Sequence, residues 1–251
     1  MLSPNFNMQC LILAGGHGTR MKPFTDRLPK TLIPVNGIPF AHYQLDWLSR
    51  HGVERVIYSI GHMADSIRDF VGDGSRWRLD ITCVEEGETL LGTAGAIRLA
   101  IDKGLMADGF FVLYGDSYLP VELAPIWVAS NNGAAPLMTV YRNDGRWDES
   151  NVIFEDGRVV LYEKGRKDAA AIGMRHIDYG LSVLTREAIL AAIGGGEPAD
   201  LALVFNRLSR AGGLLGHEVH ERFYEVGSRQ GLADLQAHLS SPERGREGSP
   251  G

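Results

Sequence analysis

The segment with the clearest chemistry combines closely spaced glycines with a run of cations. Gly15, Gly16 and Gly18 follow an apolar run from Cys10 to Ala14. Glycines in such a loop let the backbone turn tightly and point its N–H groups at an anion. Cations follow between positions 20 and 30, namely Arg20, Lys22, Arg27 and Lys30. Guanidinium and ammonium groups beside such a loop predict a polyphosphate site.

Two common nucleotide-binding motifs do not account for this loop. A P-loop requires Lys followed by Ser or Thr after its last glycine, whereas Gly18 precedes Thr19 and Arg20. The dinucleotide fingerprint requires a third glycine three residues after its second, and Met21 occupies that place. A dinucleotide-dependent oxidoreductase is therefore disfavoured, and the loop belongs to another class.

The ordered stretch from Leu13 to Val35 is similar to the signature of the sugar-phosphate nucleotidyltransferases, or NDP-sugar pyrophosphorylases. Further blocks of the family follow in its order: Leu91-Gly92-Thr93-Ala94-Gly95-Ala96, Gly115-Asp116, Tyr162-Glu163-Lys164, Asp178-Tyr179-Gly180 and Tyr224-Glu225-Val226-Gly227. The resemblance is nearest to the short bacterial guanylyltransferases for mannose 1-phosphate or heptose 1-phosphate. It implies an enzyme that condenses an NTP, with GTP favoured, and a sugar 1-phosphate into an NDP-sugar and pyrophosphate.

The resemblance also implies which residues handle the nucleotide. Arg20 would hold the triphosphate and Lys30 would contact the reacting phosphates, so both are expected to be catalytic. The family reads the base near Glu85, Glu86 and Glu88, where a carboxylate can accept two N–H donors of guanine; a solvated acidic loop stays open as the alternative. The expected nucleotide-binding residues are Leu13, Ala14, Gly15, Gly16, Gly18, Thr19, Glu86, Gly92 and Thr93.

Carboxylates at two of these blocks are expected to hold Mg²⁺, the cofactor that the resemblance implies. Asp116 ends an apolar run after a glycine, and ligands of open parallel sheets collect beyond the carboxyl ends of the strands. Glu225 stands where the family usually has aspartate, so a metal ligand and a surface carboxylate both stay open for it.

The acceptor side is implied by the later blocks. Asp178, Tyr179 and Gly180 would form the wall that faces the sugar, and the Glu-Lys pair would contact sugar hydroxyls and the sugar phosphate, unless it is an exposed ion pair. The expected sugar-phosphate contacts are Asp116, Glu163, Lys164, Tyr179 and Gly180. Lys22 and Arg27 are left open between phosphate contacts and surface charge.

Alternating strands and helices must position these residues in the first half of the chain. The apolar patterns predict strands at Cys10–Ala14, Arg55–Ile60, Asp80–Val84 and Phe110–Tyr114, and helices at Pro39–His51, Ala64–Val71 and Ala94–Ile101. This alternation predicts an α/β fold with a doubly wound, mainly parallel, Rossmann-like sheet.

After position 132 the sequence pattern changes and predicts a smaller antiparallel part, which we expect to bind the sugar. Strands are predicted at Pro136–Tyr141, Val152–Phe154 and Arg158–Tyr162, with a hairpin turn at Asp156-Gly157. Helices are predicted at Arg186–Ile193, Leu201–Ala211 and Gln230–Leu239. We expect a single nucleotidyltransferase domain over residues 1–240 and a disordered tail over 241–251.

Composition narrows the partners. The formal net charge of −6 argues against a general affinity for nucleic acid or anionic membrane. Cys10 and Cys83 have no metal or redox spacing and are expected to be buried reduced thiols. No secretory or membrane-spanning segment is apparent, so a cytoplasmic protein whose partners are an NTP and a sugar 1-phosphate is expected. A homodimer stays open.

Two further functions stay open from the sequence. The activation signature does not identify the acceptor, so a cytidylyl- or uridylyltransferase acting on another sugar or a non-sugar phosphate is one alternative. The other is a non-catalytic subunit that senses a nucleotide sugar, against which the intact Arg20, Lys30 and Asp116 argue.

Overall fold

The computed structural model describes residues 8–16, 18, 21, 25, 27–87 and 89–240. Within them the strands are β1 (Met8–Ala14), β2 (Pro34–Val35), β3 (Ile38–Pro39), β4 (Val53–Ile60), β5 (Asp80–Glu85), β6 (Gly109–Tyr114), β7 (Ser117–Tyr118), β8 (Leu137–Arg142), β9 (Val152–Glu155), β10 (Arg158–Tyr162), β11 (His176–Thr185), β12 (Leu215–Val219) and β13 (Tyr224–Glu225). The helices are α1 (Phe40–Arg50), α2 (Ala64–Val71), α3 (Gly92–Asp102), α4 (Leu123–Ala129), α5 (Arg186–Ala192), α6 (Leu201–Arg210) and α7 (Arg229–Ser240).

One large sheet runs through the described residues in the order β5-β4-β1-β6-β11-β8-β12-β10-β9. The strands β5, β4, β1 and β6 pair in parallel, and α1, α2 and α3 lie in the crossovers between them. From β6 onward the pairings of β11 with β6 and β8, and of β10 with β9 and β12, are antiparallel. The predicted doubly wound α/β fold is confirmed, and its antiparallel part continues the same sheet.

The sheet is buried on both faces, which explains the uninterrupted apolar run of its central strand β1. Successive side chains of a strand point to opposite faces. Cys10 and Ile12 accordingly join one core cluster with helices α1, α2 and α4. Leu11 joins a second cluster on the other face with α3, α5 and α6. The carboxyl ends of the parallel strands are thereby held at one rigid edge.

The two cysteines differ in burial. Cys10 lies fully buried in β1, and burial raises the pKa of its thiol. Cys83 is only half-buried, contrary to expectation, because β5 is the edge strand of the sheet. Among the residues that the structure describes, none of the helices combines the length and apolarity that crossing a membrane requires.

Candidate active site

A cavity of about 220 Å³ opens where β1 and β6 end side by side. These strands pair in parallel through Leu13 and Tyr114, so the loops that follow them start at the same edge. The cavity lining contains the predicted residues Leu13, Ala14, Gly15, Gly16, Gly18, Lys30, Glu86, Gly92, Thr93 and Asp116, together with Thr31, Leu90, Ala96, Tyr114 and Gly115. The structure therefore gathers three separate sequence blocks around one cavity.

The structure does not place some of the predicted phosphate-contacting cations, and one predicted nucleotide-binding residue, in the cavity lining. Thr19, Arg20 and Lys22 lie outside the described residues, so the grip of Arg20 on a triphosphate stays a prediction. Arg27 is described and exposed, and it is not part of the cavity lining.

Lys30 and Asp116 meet at the end of this cavity. Lys30 begins a short 3-10 helix, Lys30–Leu32, directly after Pro29, and Asp116 follows β6. The Nζ atom of Lys30 lies 2.7 Å from Oδ2 of Asp116, and the two side chains are 15% and 25% exposed. The other oxygen of Asp116, Oδ1, lies 3.5 Å from the hydroxyl of Ser117. A cation and a carboxylate, each partly shielded from water, are thus held at the edge of this cavity.

Glu86 forms one wall of the cavity next to the glycine loop. Its Oε2 accepts the N–H of Leu91 at 2.8 Å, and its Oε1 accepts a longer hydrogen bond of 3.4 Å from Ser59 Oγ. A Cβ on Gly15 would come within 2.2 Å of Oε1, so only glycine lets the carboxylate lie there. Burial raises the pKa of Glu86, and the hydrogen bonds from Leu91 and Ser59 oppose this rise. A carboxylate has about four acceptor sites, which leaves capacity for a ligand's N–H groups.

The neighbouring acids have different surroundings. Glu85 ends β5 and pairs with Arg68 at 2.7 Å on the surface. Glu88 lies outside the described residues. Among the described members of this acidic run, Glu86 is the one that lines the cavity.

The block at the start of α3 is shaped by contact with the segment before α6. Gly92 adopts a φ of +72°, and a Cβ there would meet the carbonyl oxygen of Ala199 at 2.6 Å. The same oxygen accepts the N–H of Ala94 at 2.9 Å. The hydroxyl of Thr93 accepts the N–H of Leu201 at 2.7 Å and donates to Asp200 Oδ1 at 3.3 Å. Gly92 therefore has a packing role, and Thr93 connects α3 to α6 while lining the cavity.

Apart from Asp116, the predicted acceptor residues lie on or next to the antiparallel strands β10 and β11. Glu163 Oε2 accepts hydrogen bonds from Arg166 and Arg210, each at 3.0 Å, so this carboxylate is held by two guanidinium groups. Lys164 is exposed. Burial raises the pKa of Asp178, and both the N–H of Gly180 and the charge of Lys164 oppose that rise, which places Lys164 within electrostatic reach of this carboxylate.

The two other predicted wall residues, Tyr179 and Gly180, have different surroundings. The ring of Tyr179 is buried in the core, stacked on Tyr141 with centroids 6.2 Å apart and edge-on to Phe223. Gly180 has a φ of +101° at a bulge in β11, where a Cβ would lie 3.5 Å from the hydroxyl of Ser117. Gly180 thus faces the residue that follows Asp116, and the Tyr179 ring packs in the core.

The two predicted metal carboxylates come from adjoining backbone segments. In the β13–β7 pair, Glu225 lies opposite Ser117, and the N–H of Val226 donates to the carbonyl oxygen of Asp116 at 2.9 Å. The Glu225 side chain lines a second cavity of about 210 Å³ with Trp147, Arg222 and Tyr224. No cluster of three or more His, Cys, Asp or Glu side chains suited to a metal occurs in the described part of the chain. Two carboxylates with water and phosphate oxygens are nevertheless the donor set that Mg²⁺ commonly uses beside nucleotides.

Tyr114 is a cavity residue that no local sequence pattern identifies as part of a site. Tyr114 lines the cavity at the end of an apolar strand, where it looks like a core residue. Burial and the charges of Asp178, Asp200 and Asp116 raise the pKa of its phenol, so these carboxylates surround it. Their proximity depends on chain segments far apart in sequence, which a local pattern does not reveal.

A glycine loop and a lysine–carboxylate pair at the carboxyl edge of a parallel sheet define an α/β protein with a nucleotide-binding site. A sequence model of the nucleotidyl transferase family matches residues 9–145. The chain therefore belongs to the nucleotidyl transferase family.

Relatives and solved structures give the finer comparison. A probable mannose-1-phosphate guanylyltransferase 1 of Oryza sativa is 30% identical over 242 residues, which cover 93% of this chain and 65% of the rice protein. The D-glycero-alpha-D-manno-heptose 1-phosphate guanylyltransferase of Aneurinibacillus thermoaerophilus is 30% identical over 160 residues, covering 63% and 68%. HddC from Yersinia pseudotuberculosis, complexed with GMP-PN, superposes with a TM-score of 0.76 at 26% identity, covering 93% of this chain and 100% of HddC.

Proposed function

We propose that the chain is a magnesium-dependent sugar-1-phosphate guanylyltransferase, which joins GTP to a mannose- or heptose-type sugar 1-phosphate and releases pyrophosphate. The observation that carries the proposal is the Lys30–Asp116 pair, at 2.7 Å, at the end of a cavity lined by the glycine loop. The family match over residues 9–145 and the names of the rice and Aneurinibacillus relatives support the reaction class and the sugar.

The proposed reaction is an in-line transfer at the α-phosphorus of the nucleotide. An oxygen of the sugar phosphate attacks that phosphorus, and the bond from the α-phosphorus to the bridging oxygen of the β-phosphate breaks, so that pyrophosphate leaves. The nucleophile is already an anion, so no Ser, Cys or His nucleophile is required. The protein mainly has to position two anions and neutralise their charge.

Each named residue has a place in this scheme. The Gly15 and Gly16 backbone and Arg20 would hold the triphosphate, and Arg20 would stabilise the departing pyrophosphate. Lys30 and Lys164 would hold the incoming phosphate and offset the repulsion between the two substrates. Asp116 and Glu225 would hold Mg²⁺, which when bound supplies charge neutralisation to the reacting phosphates.

Glu86 is the proposed reader of the base. Its carboxylate lies on the cavity wall, is held in place by the N–H of Leu91, and retains free acceptor sites. Guanine presents two adjacent N–H donors on its Watson–Crick edge, whereas adenine presents a single amino group there. A fixed carboxylate therefore favours GTP. Since NTPs are supplied inside the cell, we place the reaction in the cytoplasm.

The test is pyrophosphate release by the purified protein with Mg²⁺, with each NTP and dTTP tested against mannose, heptose, glucose and amino-sugar 1-phosphates. Release that requires both GTP and a mannose- or heptose-type acceptor is the expected result. Release with CTP or UTP and a different phosphate would move the assignment to another transferase of the family. Binding of NTP without release for any pair would contradict the catalytic assignment.

A further inference from the structure

Arg222 is enclosed by two aromatic rings and a carboxylate at the side of the second cavity. Its guanidinium carbon lies 4.1 Å from the ring centroid of Trp147 and 5.0 Å from that of Tyr224. Its Nη2 also pairs with the carboxylate of Asp234 on α7, whose other oxygen accepts a hydrogen bond of 2.7 Å from Gln230. A planar guanidinium fits between ring faces, so these contacts define one orientation of Arg222.

The loop that carries Trp147 is built around a buried asparagine. Asn143 is fully buried, its Oδ1 accepts the N–H of Trp147 at 2.9 Å, and its Nδ2 donates to the carbonyl oxygen of Asp148 at 2.6 Å. The same amide lies 3.3 Å from Ser150 Oγ. A buried amide whose donors and acceptor are all satisfied fixes the shape of the backbone around it. The position of Trp147 therefore follows from the loop's own hydrogen bonds.

The far end of this loop, at Asn151, is hydrogen-bonded to the two segments that are predicted to contact the sugar phosphate. Asn151 Oδ1 accepts the N–H of Asp178 at 3.1 Å, and the carbonyl oxygen of Asn151 accepts the N–H of Glu163 at 2.9 Å. The segment from residue 143 to residue 151 thus touches Arg222 at one point and the two predicted sugar-facing segments at another. We call this segment the acceptor loop.

Glu225 needs support from outside its own strand pair. The strands β13 and β7 have two residues each, and so short a two-stranded ribbon has little stability of its own. Tyr224, the neighbour of Glu225, stacks on His238 of α7 with centroids 4.2 Å apart, and Arg222 covers the Tyr224 ring as well. The orientation of this ribbon is therefore set by aromatic and cation–π packing.

We propose that Trp147 and Arg222 are positioning residues that connect the acceptor loop to the Glu225 carboxylate. The proposal rests on the proposed function, in which Glu225 is a metal ligand. Trp147 is 47% exposed, whereas Trp47, Trp77 and Trp127 are buried, so its ring is placed on Arg222 at the surface and contributes little to the core. One loop thereby connects Glu163 and Asp178, which are proposed to face the acceptor, to the proposed metal ligand Glu225.

Metal affinity gives a readout that does not depend on turnover. The probe is Mn²⁺, followed by its electron paramagnetic resonance signal in the presence of GDP-mannose, with the full-length wild type and the variants Trp147→Ala, Trp147→Phe and Arg222→Met. We expect Mn²⁺ affinity to fall about tenfold in Trp147→Ala and Arg222→Met and to recover in Trp147→Phe, which keeps an aromatic face. Removing a cation near the site would by itself raise Mn²⁺ affinity, so a fall in Arg222→Met separates positioning from simple charge.

The chain offers a matched control for this experiment. Arg76 lies over the rings of Phe70 and Trp77, at 5.0 Å and 4.6 Å, in an equivalent arrangement away from the site. Arg76→Met removes the same kind of contact and is expected to leave Mn²⁺ affinity unchanged.

Failure of this proposal and of the proposed function give different results. If the wild type releases pyrophosphate but Trp147→Ala and Arg222→Met keep wild-type Mn²⁺ affinity, the positioning role is wrong and the function stands. If Glu225→Gln binds Mn²⁺ as tightly as the wild type, Glu225 is not a ligand and the positioning role is also wrong. An equal loss in Arg76→Met would show general destabilisation and would overturn the proposal as well.

Discussion

The half of the molecule to which we assign the nucleotide and the half to which we assign the acceptor are built by different means. The nucleotide cavity lies at the ends of parallel strands β1 and β6 and is lined largely by backbone and small residues. The acceptor side lies on antiparallel strands and depends on ion pairs and side-chain hydrogen bonds, such as those of Glu163 with Arg166 and Arg210.

The difference follows from sheet topology. Parallel strands with helical crossovers bring their carboxyl ends to one edge, so loops that follow them converge without further support. Antiparallel segments place successive loops at opposite edges, so a site there requires contacts between distant side chains. We expect variants in the nucleotide half to change catalysis directly, and variants in the acceptor half to change acceptor affinity.

The largest effect is expected at Asp116, where the two halves meet. Asp116→Asn keeps the shape of the side chain and removes the charge that pairs with Lys30. Loss of one electrostatic group at the reacting phosphates is expected to lower kcat/KM about a thousandfold. The matched control is Asp108→Asn. Asp108 is exposed and directly precedes β6, at the opposite end of the strand from Asp116, so this variant should keep wild-type kinetics. A folded Asp116→Asn protein with more than about a tenth of wild-type kcat/KM would exclude a direct role.

Lys30 is expected to show the next largest effect. Lys30→Ala removes the cation that we assign to the incoming phosphate, and kcat is expected to fall about a hundredfold because the repulsion between the substrates is no longer offset. Lys103→Ala, at an exposed lysine after α3, is the control. Steady-state kinetics and circular dichroism measure activity and folding separately. Unchanged kcat in folded Lys30→Ala would place this lysine outside the chemistry.

Glu86 tests whether base selection belongs to the nucleotide half. Glu86→Gln is expected to lower the preference for GTP over ATP about tenfold, since the amide offers one acceptor oxygen where the carboxylate offers two. Glu85→Gln, next to it on the surface, should keep the preference. Kinetic competition between GTP and ATP measures the ratio. A preserved ratio in Glu86→Gln would assign base reading to other groups.

Glu86 also predicts a pH dependence of stability. Burial raises its pKa in the folded protein above that in the unfolded chain, so the folded state holds the proton more tightly. Its contribution to stability is then fully present below the unfolded pKa and is lost as pH rises through the folded pKa. In thermal unfolding from about pH 4 to about pH 8, Glu86→Gln should lose less stability than the wild type as pH rises. Parallel Tm curves for the two proteins would show that this carboxylate is not destabilised by burial.

The smallest effect is expected at Lys164 in the acceptor half. Lys164→Ala should raise the KM for the sugar phosphate about threefold and leave the KM for GTP unchanged, because an exposed lysine contributes a screened phosphate contact. Lys167→Ala, an exposed lysine in the same segment, is the control. Equal changes of both KM values would remove the separation between the halves that the structure indicates.

Local patterns predicted most helices and strands of both halves well. The predicted helix Ala64–Val71 and strand Arg158–Tyr162 have the observed bounds, and most other predicted elements shift by one or two residues. Strand β11 was missed, because Asp178 and the bulge at Gly180 interrupt its apolar pattern. Strand β12 mixes Gly216, His217 and Glu218 with apolar residues, and α4 is short and contains a proline, so neither has a clear periodicity.

The site residues divide in the same way, into those that local sequence patterns predict and those that they do not. Residues of the glycine loop and of the Gly115-Asp116 block lie together because each block directly follows a strand of the parallel sheet. Partners such as Asp200, which meets Thr93 across more than a hundred residues of sequence, depend on packing that no local pattern encodes. The links from Asn143 through Trp147 to Arg222 belong to the same category, since they join a loop, a strand pair and a helix.

The fate of the α-phosphorus of GTP distinguishes nucleotidyl transfer from hydrolysis. The purified protein is incubated with Mg²⁺, mannose 1-phosphate or heptose 1-phosphate, and GTP that carries radioactive phosphorus at the α position, and the products are separated by chromatography. If the protein is a guanylyltransferase, the label moves into a nucleotide sugar only when a sugar phosphate is present, with one unlabelled pyrophosphate released for each transfer. Label recovered as GMP or GDP without a nucleotide sugar would contradict this function, because a different phosphate bond would then be broken or water would be the acceptor.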